Sequence, residues 1–169
     1  MKIDKVISET IFAIYRTPEV SQQLFLKGGS AMRLFDHLMS RLSIDADFSM
    51  TDRIDHEQRF FSAIKTSVGS AFRRIKLDVI DFKWEQRPRN QGRERPAWWR
   101  GWVCQFKLVA FGHRGSSIEV KRRNALIPEG ANSSVITIEI SEHEYCGRKK
   151  DKDRSGSQDL GLFTGVAGP

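Results

Sequence analysis

The chain has 169 residues and a formal net charge of +7, with an isoelectric point near 9.7. That length suits one domain that buries a core without staples, and an apolar fraction of 39% with mixed charges argues against an intrinsically disordered chain. The basic balance points to polyanionic partners, while Cys104 and Cys146, which form no CxxC, argue against a disulfide framework or a cysteine zinc site and are expected to be reduced, one of them in the core.

The opening MKIDKVISET lacks a signal-like apolar run, and no run approaches membrane-spanning length, so a cytoplasmic address and no membrane partner are expected. Ile3, Val6, Ile7, Ile11 and Ile14 recur at helical spacing and predict a helix from residue 3 to about 16, ended by Pro18. Leu24, Phe25 and Leu26 form a short apolar run stopped by Gly28 and Gly29, as in a buried strand feeding a tight turn. Ser30 is placed to cap a following helix whose buried face is Ala31, Leu34, Phe35, Leu38 and Leu42.

Ile44, Ala46 and Phe48 then alternate with Asp45 and Asp47, so a strand here projects both carboxylates from one face. Residues 55 to about 74 predict a helix opened by Asp55 with Gln58 three residues on, striped by Phe61, Ile64, Val68 and Phe72. Two strands follow at 75–84 and 99–111, a hairpin with a long charged tip. The stretch 115–127 is read as helix, and Ile136, Ile138 and Ile140 alternate with Thr137, Glu139 and Ser141 in a last strand over 135–141. A domain over 1–146 and an atypical tail over 147–169 are expected, the latter lacking either periodicity. The fold class expected is α/β (α+β), a mixed, partly antiparallel sheet flanked by helices.

Two carboxylates one residue apart on a strand, joined by a third from another strand, suit hard cations such as Mg²⁺ or Mn²⁺. A pair of such ions clamps an in-line displacement at phosphorus. Asp45 and Asp47 are the first two candidates and Glu139 the third, with Glu119, Asp78 and Asp81 as rivals. Gly28 and Gly29 let backbone approach phosphate oxygens, and the helix N-terminus beyond them favours an anion. Ser30 adds a hydroxyl, and Lys27 and Arg41 are candidates to neutralise a triphosphate. No P-loop pattern is present, and His37, His56, His113 and His143 show no ligand spacing. Trp84, Trp98, Trp99 and Trp102 lie near the hairpin tip among Lys83, Arg87, Arg89, Arg93, Arg95 and Arg100, a composition that suits RNA, with a tip anchored to the core as the other reading.

The stretch LKGGSAMRLF followed by RLSIDADFS resembles the AbiEii/AbiGii-toxin-like nucleotidyltransferases of the polymerase-β-like nucleotidyltransferase superfamily, and TIEISEHEYC resembles that family's third-carboxylate strand. The resemblance covers roughly residues 20 to 146. It implies a nucleotidyltransferase-like fold in which Gly29 and Ser30 contact the triphosphate, Asp45 and Asp47 bind metal, and Glu139 supplies the third carboxylate. It further implies transfer of a nucleotide from an NTP to an acceptor such as tRNA, by a toxin opposed by a cognate antitoxin. Relatives usually continue into a helical half, whereas this chain turns into DRSGSQDLGLFTGVAGP. Two alternatives follow: a catalytically inactive truncated remnant that binds nucleic acid or antitoxin, and transfer onto protein.

Overall fold

Residues 1–31, 44–87 and 100–142 are described by the structure, a computed structural model. The chain begins with α1 (Ile3–Tyr15), whose isoleucine stripe is buried as its spacing requires, and Pro18 opens the short α2 (Pro18–Ser21). Proline therefore starts a new turn here, with Arg16 already capping α1, because its fixed φ and missing N–H suit a first helical position. Next come β1 (Phe25–Leu26), a helical turn at residues 28–31, and β2 (Asp45–Ser49). The long α3 (Glu57–Arg74) leads into the hairpin strands β3 (Leu77–Arg87) and β4 (Gly101–Ala110), then a 3-10 turn over Phe111–His113, α4 (Ile118–Arg123) and β5 (Ile136–Ser141).

One five-stranded sheet has the order β1-β2-β5-β4-β3. The pair β2 and β5 is parallel, and all its other neighbours are antiparallel. The mixed sheet of the sequence reading is thus the one observed, and the chain's last described strand sits at its centre. One face is apolar. Ala46 and Phe48 of β2, Ile136, Ile138 and Ile140 of β5, and Trp102, Cys104, Phe106 and Leu108 of β4 are all buried there. The helices α1 and α3 cover that face, with Tyr15 against Phe48, Phe61 between Trp84 and Trp102, and Phe72 against Phe106.

Several local expectations shift. The second helical segment starts at residue 28, before Ser30, so Ser30 is no N-cap; it is 3% exposed and its Oγ donates to the Asp45 carbonyl at 2.9 Å. A backbone acceptor on the neighbouring strand has displaced the capping role. Asp55 does not open α3 either, whose N-cap is His56 with no side-chain cap bond. Ile44 lies outside β2 and is 48% exposed. The first hairpin strand begins two residues later and ends three later than periodicity placed it, since Lys76, at φ 63, turns the chain between α3 and β3, while the second begins two later and ends one earlier. The reading of 115–127 as helix holds for α4, where the Ser117 side chain accepts from the Val120 N–H. The Arg41, Arg89, Arg93, Arg95, Trp98, Trp99, His37, His143 and Cys146 candidates, and the tail over 147–169, lie outside the described residues.

Cys104 is free and buried, and burial pushes its thiol up to about 12, so it behaves as core rather than as a nucleophile. Of the four tryptophans, Trp84 stacks on Phe61 at 5.3 Å and Trp102 is 5% exposed. Both anchor the base of the hairpin to the core.

Candidate active site

The polar face of the sheet is assembled by register. Because β2 and β5 run parallel, Asp47 stands directly beside Glu139 and Asp45 beside Thr137. Directly paired residues share a face, so Asp45, Asp47 and Glu139 all project from the side opposite the isoleucine core. Asp45 and Asp47 are half-buried and Glu139 is exposed. Glu139 thus separates from its rivals: Asp78 pairs with Arg73 and Arg114, Asp81 with Arg122 and Lys107, and Glu119 lies exposed on α4.

The electrostatics mark the three as a unit. Burial raises the Asp47 carboxyl above its ordinary range, and the neighbouring Glu139 and Asp45 charges push it further, against a smaller opposing pull from Lys27. Burial also raises Asp45, partly offset by a hydrogen bond from the Thr137 side chain. Among the described residues no three His, Cys, Asp or Glu side chains form a closed ligand cluster. The carboxylates are therefore neighbours on one face, repelling each other, rather than a finished cage.

A turn closes over them. Lys27 N–H donates to the Asp47 carbonyl at 2.9 Å, continuing the β1–β2 pairing, and Lys27 Nζ donates to Ser141 Oγ at 2.9 Å across the mouth of the site. Gly28 follows at φ +67, and a Cβ there would sit 2.9 Å from Asp47 Oδ2. Both the backbone angle and the close approach to a carboxylate require glycine. Gly29 is exposed in the same turn, while the Ser30 hydroxyl is turned to Asp45.

Gly28→Ala is expected to cost about 1–2 kcal/mol, the usual penalty of a left-handed residue with a Cβ. Asp47 must also swing away, so a second effect is the displacement of its carboxylate from beside Glu139. Chemical unfolding of the variant beside wild type measures the first, and a variant as stable as wild type would show that the turn does not hold this angle.

The sequence over residues 12–145 matches the family described as nucleotidyl transferase AbiEii toxin, type IV TA system. The chain belongs to this AbiEii family. Its DxD strand, the strand that carries Glu139 and the Gly-Gly-Ser turn all fall within the matched range. No curated protein matches the sequence. Among solved structures, one from H. pylori assigned as a nucleotidyltransferase is 13% identical with a TM-score of 0.45, and covers 97% of this chain and 52% of its own. JHP933 from Helicobacter pylori is 12% identical with a TM-score of 0.43, covering 96% of this chain and 50% of its own. The AbiEii chain here thus spans about half the length of those structures.

One residue of this AbiEii domain escaped sequence reading. Glu142 is 1% exposed, and its Oε1 accepts from Trp102 Nε1 at 2.8 Å and from the Ile54 N–H at 3.3 Å. Its Oε2 has no hydrogen-bond partner and lies 3.5 Å from Arg100 Nε. Arg100 in turn donates to Gln86 at 2.6 Å, in the amide orientation that satisfies both partners. A signal existed. Residues 136, 138 and 140 face the core, so 142 continues that phase, and a glutamate in core phase requires partners.

Among the described residues no helix is long and apolar enough to cross a membrane.

Proposed function

We propose that this domain transfers a nucleotide from an NTP to an RNA acceptor such as tRNA, as the toxin of a toxin–antitoxin system. The observation that carries this reading is the pairing of Asp47 with Glu139 on adjacent parallel strands, with Asp45 on the same face and the Gly28 turn against Asp47.

The donor set fits a divalent cation, since burial and the neighbouring Glu139 and Asp45 charges make the Asp47 carboxylate costly to ionise, a cost relieved by a hard cation with oxygen preference. Asp45, Asp47 and Glu139 would hold Mg²⁺ or Mn²⁺, which when bound supplies positive charge to the phosphate oxygens and a lowered pKa to the acceptor hydroxyl. The protein's own contribution is positioning. The backbone N–H groups of the helical turn at residues 28–31 face an anion at their N-terminal end, and Gly28 and Gly29 leave room for it. Lys27, steadied by Ser141, adds charge beside the same point, and Arg41 is a further proposed contact. Ser30 acts by fixing the turn on β2. With NTP and tRNA as the proposed substrates, the proposed place of action is the cytoplasm, where a cognate antitoxin would oppose it.

The test is to incubate the protein with each labelled NTP, Mg²⁺ or Mn²⁺ and total tRNA, beside an Asp45→Ala/Asp47→Ala control. Label should enter RNA with the wild-type chain and not with the control. A folded protein that labels nothing with either metal would sink the proposal for this chain, and label on protein instead would move the acceptor from RNA to a side chain.

A further inference from the structure

A second feature lies on the same face of the sheet as the carboxylates. Thr137 pairs with Asp45 on one side and Gln105 on the other, and Gln105 pairs with Lys83. Asp45, Thr137, Gln105 and Lys83 therefore form one row across β2, β5, β4 and β3, about 14 Å long at the usual strand spacing. At its far end is a cleft of about 440 Å³ lined by Asp81, Lys83, Gln105, Lys107 and Arg122 among others. Three cations there face one carboxylate.

The backbone of that cleft is specialised. The register of β3 on β4 shifts between Ile80 and Lys83, and Asp81 within the shift has φ 53. Aspartate tolerates this region better than most residues, yet a strand interior rarely contains it, and bulges re-aim side chains. Here the bulge turns the Asp81 carboxylate to Arg122, whose Nε donates to both its oxygens at 3.0 Å and whose Nη2 lies 2.9 Å from Oδ1. Lys107 Nζ stands 3.7 Å away on the other side. Asp81 is held below its ordinary carboxylate range, first by the hydrogen bond from Arg122. One anion thus gathers two cations from α4 and β4, and Lys83 adds a third exposed on the same row. A guanidinium carries five donors, and Asp81 engages only its Nε and Nη2 edge.

We propose that this cleft binds a backbone phosphate of the single-stranded RNA that carries the acceptor hydroxyl, holding the strand so that its end reaches the carboxylates across the open face. The proposal rests on the nucleotidyl transfer reading. Its chemistry is that of Arg and Lys donors on phosphate, with a surplus of positive charge that a single carboxylate orders without neutralising.

The experiment measures binding of a 5′-fluorescein-labelled single-stranded RNA 12-mer by anisotropy, in EDTA and without NTP, across a series of KCl concentrations. The triple variant Lys83→Gln/Lys107→Gln/Arg122→Gln should weaken binding at least tenfold at 100 mM KCl and flatten the salt slope by about 0.7, the contribution of one phosphate contact on a single strand. Lys83→Gln alone, at an exposed position, should weaken binding and flatten the slope by less than that. Unchanged affinity and slope in both variants would overturn the proposal. So would a poly-glutamate peptide that binds through the same three side chains while RNA binding ignores them, which would assign the cleft to an acidic protein. Because no NTP or metal is present, failure of transfer with an intact slope effect sinks the reaction and leaves the cleft, and the reverse result does the opposite.

Discussion

Asp47→Asn is expected to abolish nucleotidyl transfer and, at neutral pH in EDTA, to make the protein more stable. Burial and the flanking Glu139 and Asp45 charges raise the Asp47 carboxyl in the folded state. A group whose folded pKa is raised binds its proton more tightly folded than unfolded, so its stabilising contribution is full below the ordinary value of 3.8 and is lost as pH rises through the raised folded value. At pH 7 the ionised carboxylate is a cost that asparagine does not carry. Removing it should raise the melting temperature, by an amount that solvent screening of a half-exposed carboxylate keeps small. As pH rises above the ordinary value of 3.8, wild type should lose stability more steeply than the variant. Millimolar Mg²⁺ should stabilise wild type and leave the variant unmoved, because a ligand of the native state acts by mass action. Transfer itself should drop about a thousandfold, the order seen when one preorganised electrostatic group is removed. Thermal unfolding at several pH values, with and without Mg²⁺, provides the readout. A variant less stable than wild type in EDTA would contradict the repulsion on which the proposed metal binding rests.

Glu142→Ala is expected to be the most destabilising single substitution among the described polar residues. It strips the Trp102 indole N–H and the Ile54 N–H of their acceptor and leaves Arg100 facing a cavity. Breaking a buried pair from one side costs about 3 kcal/mol, since each stranded group has lost water without compensation. For a domain of this length that corresponds to roughly 8 °C in melting temperature. Glu142→Gln keeps a carbonyl oxygen for the two N–H donors while losing the charge opposite Arg100, and should cost about 1 kcal/mol. Urea unfolding of both variants separates these contributions. An alanine variant within 0.5 kcal/mol of wild type would mean that water replaces the carboxylate and that the network contributes little.

Glu142 also matters for the site it does not touch. Its N–H donates to the Arg100 carbonyl and its side chain grips Ile54, so it fastens the segment after β2 to both β4 and the end of β5. Met50 N–H donates to the Ser141 carbonyl at 2.9 Å beside it. These bonds extend the parallel β2–β5 pairing past the strands' ends. A slip of one residue in that register would put Glu139 on the core face and an isoleucine beside Asp47.

The periodicity of two in IDADF and ITIEIS placed Asp45, Asp47 and Glu139 on polar strand faces before any tertiary contact was known, because side chains alternate along any strand. The buried stripes of α1 and α3 were legible for the same reason: apolar periodicity is a local property. The family followed from the same stretch, since the Gly-Gly-Ser turn and the DxD strand stand at a fixed spacing.

Other features needed the fold. That β5 inserts between β2 and β4 and runs parallel to β2 is a pairing over some ninety residues of chain, which no local pattern encodes. Only that pairing sets Glu139, the third carboxylate the sequence favoured over Glu119, Asp78 and Asp81, directly beside Asp47. Ser30 fits the sequence pattern of a cap, but the helical turn starts two residues before it, and its hydroxyl instead donates to the Asp45 carbonyl. Nothing local in the sequence joins Arg122 to Lys107, which meet at one point only across the Asp81 carboxylate. Sequence determined which residues could do chemistry, because alternation and turn preference are local. Tertiary structure decided which of them meet, because charges and hydrogen bonds act over a few ångströms between strands far apart in the chain.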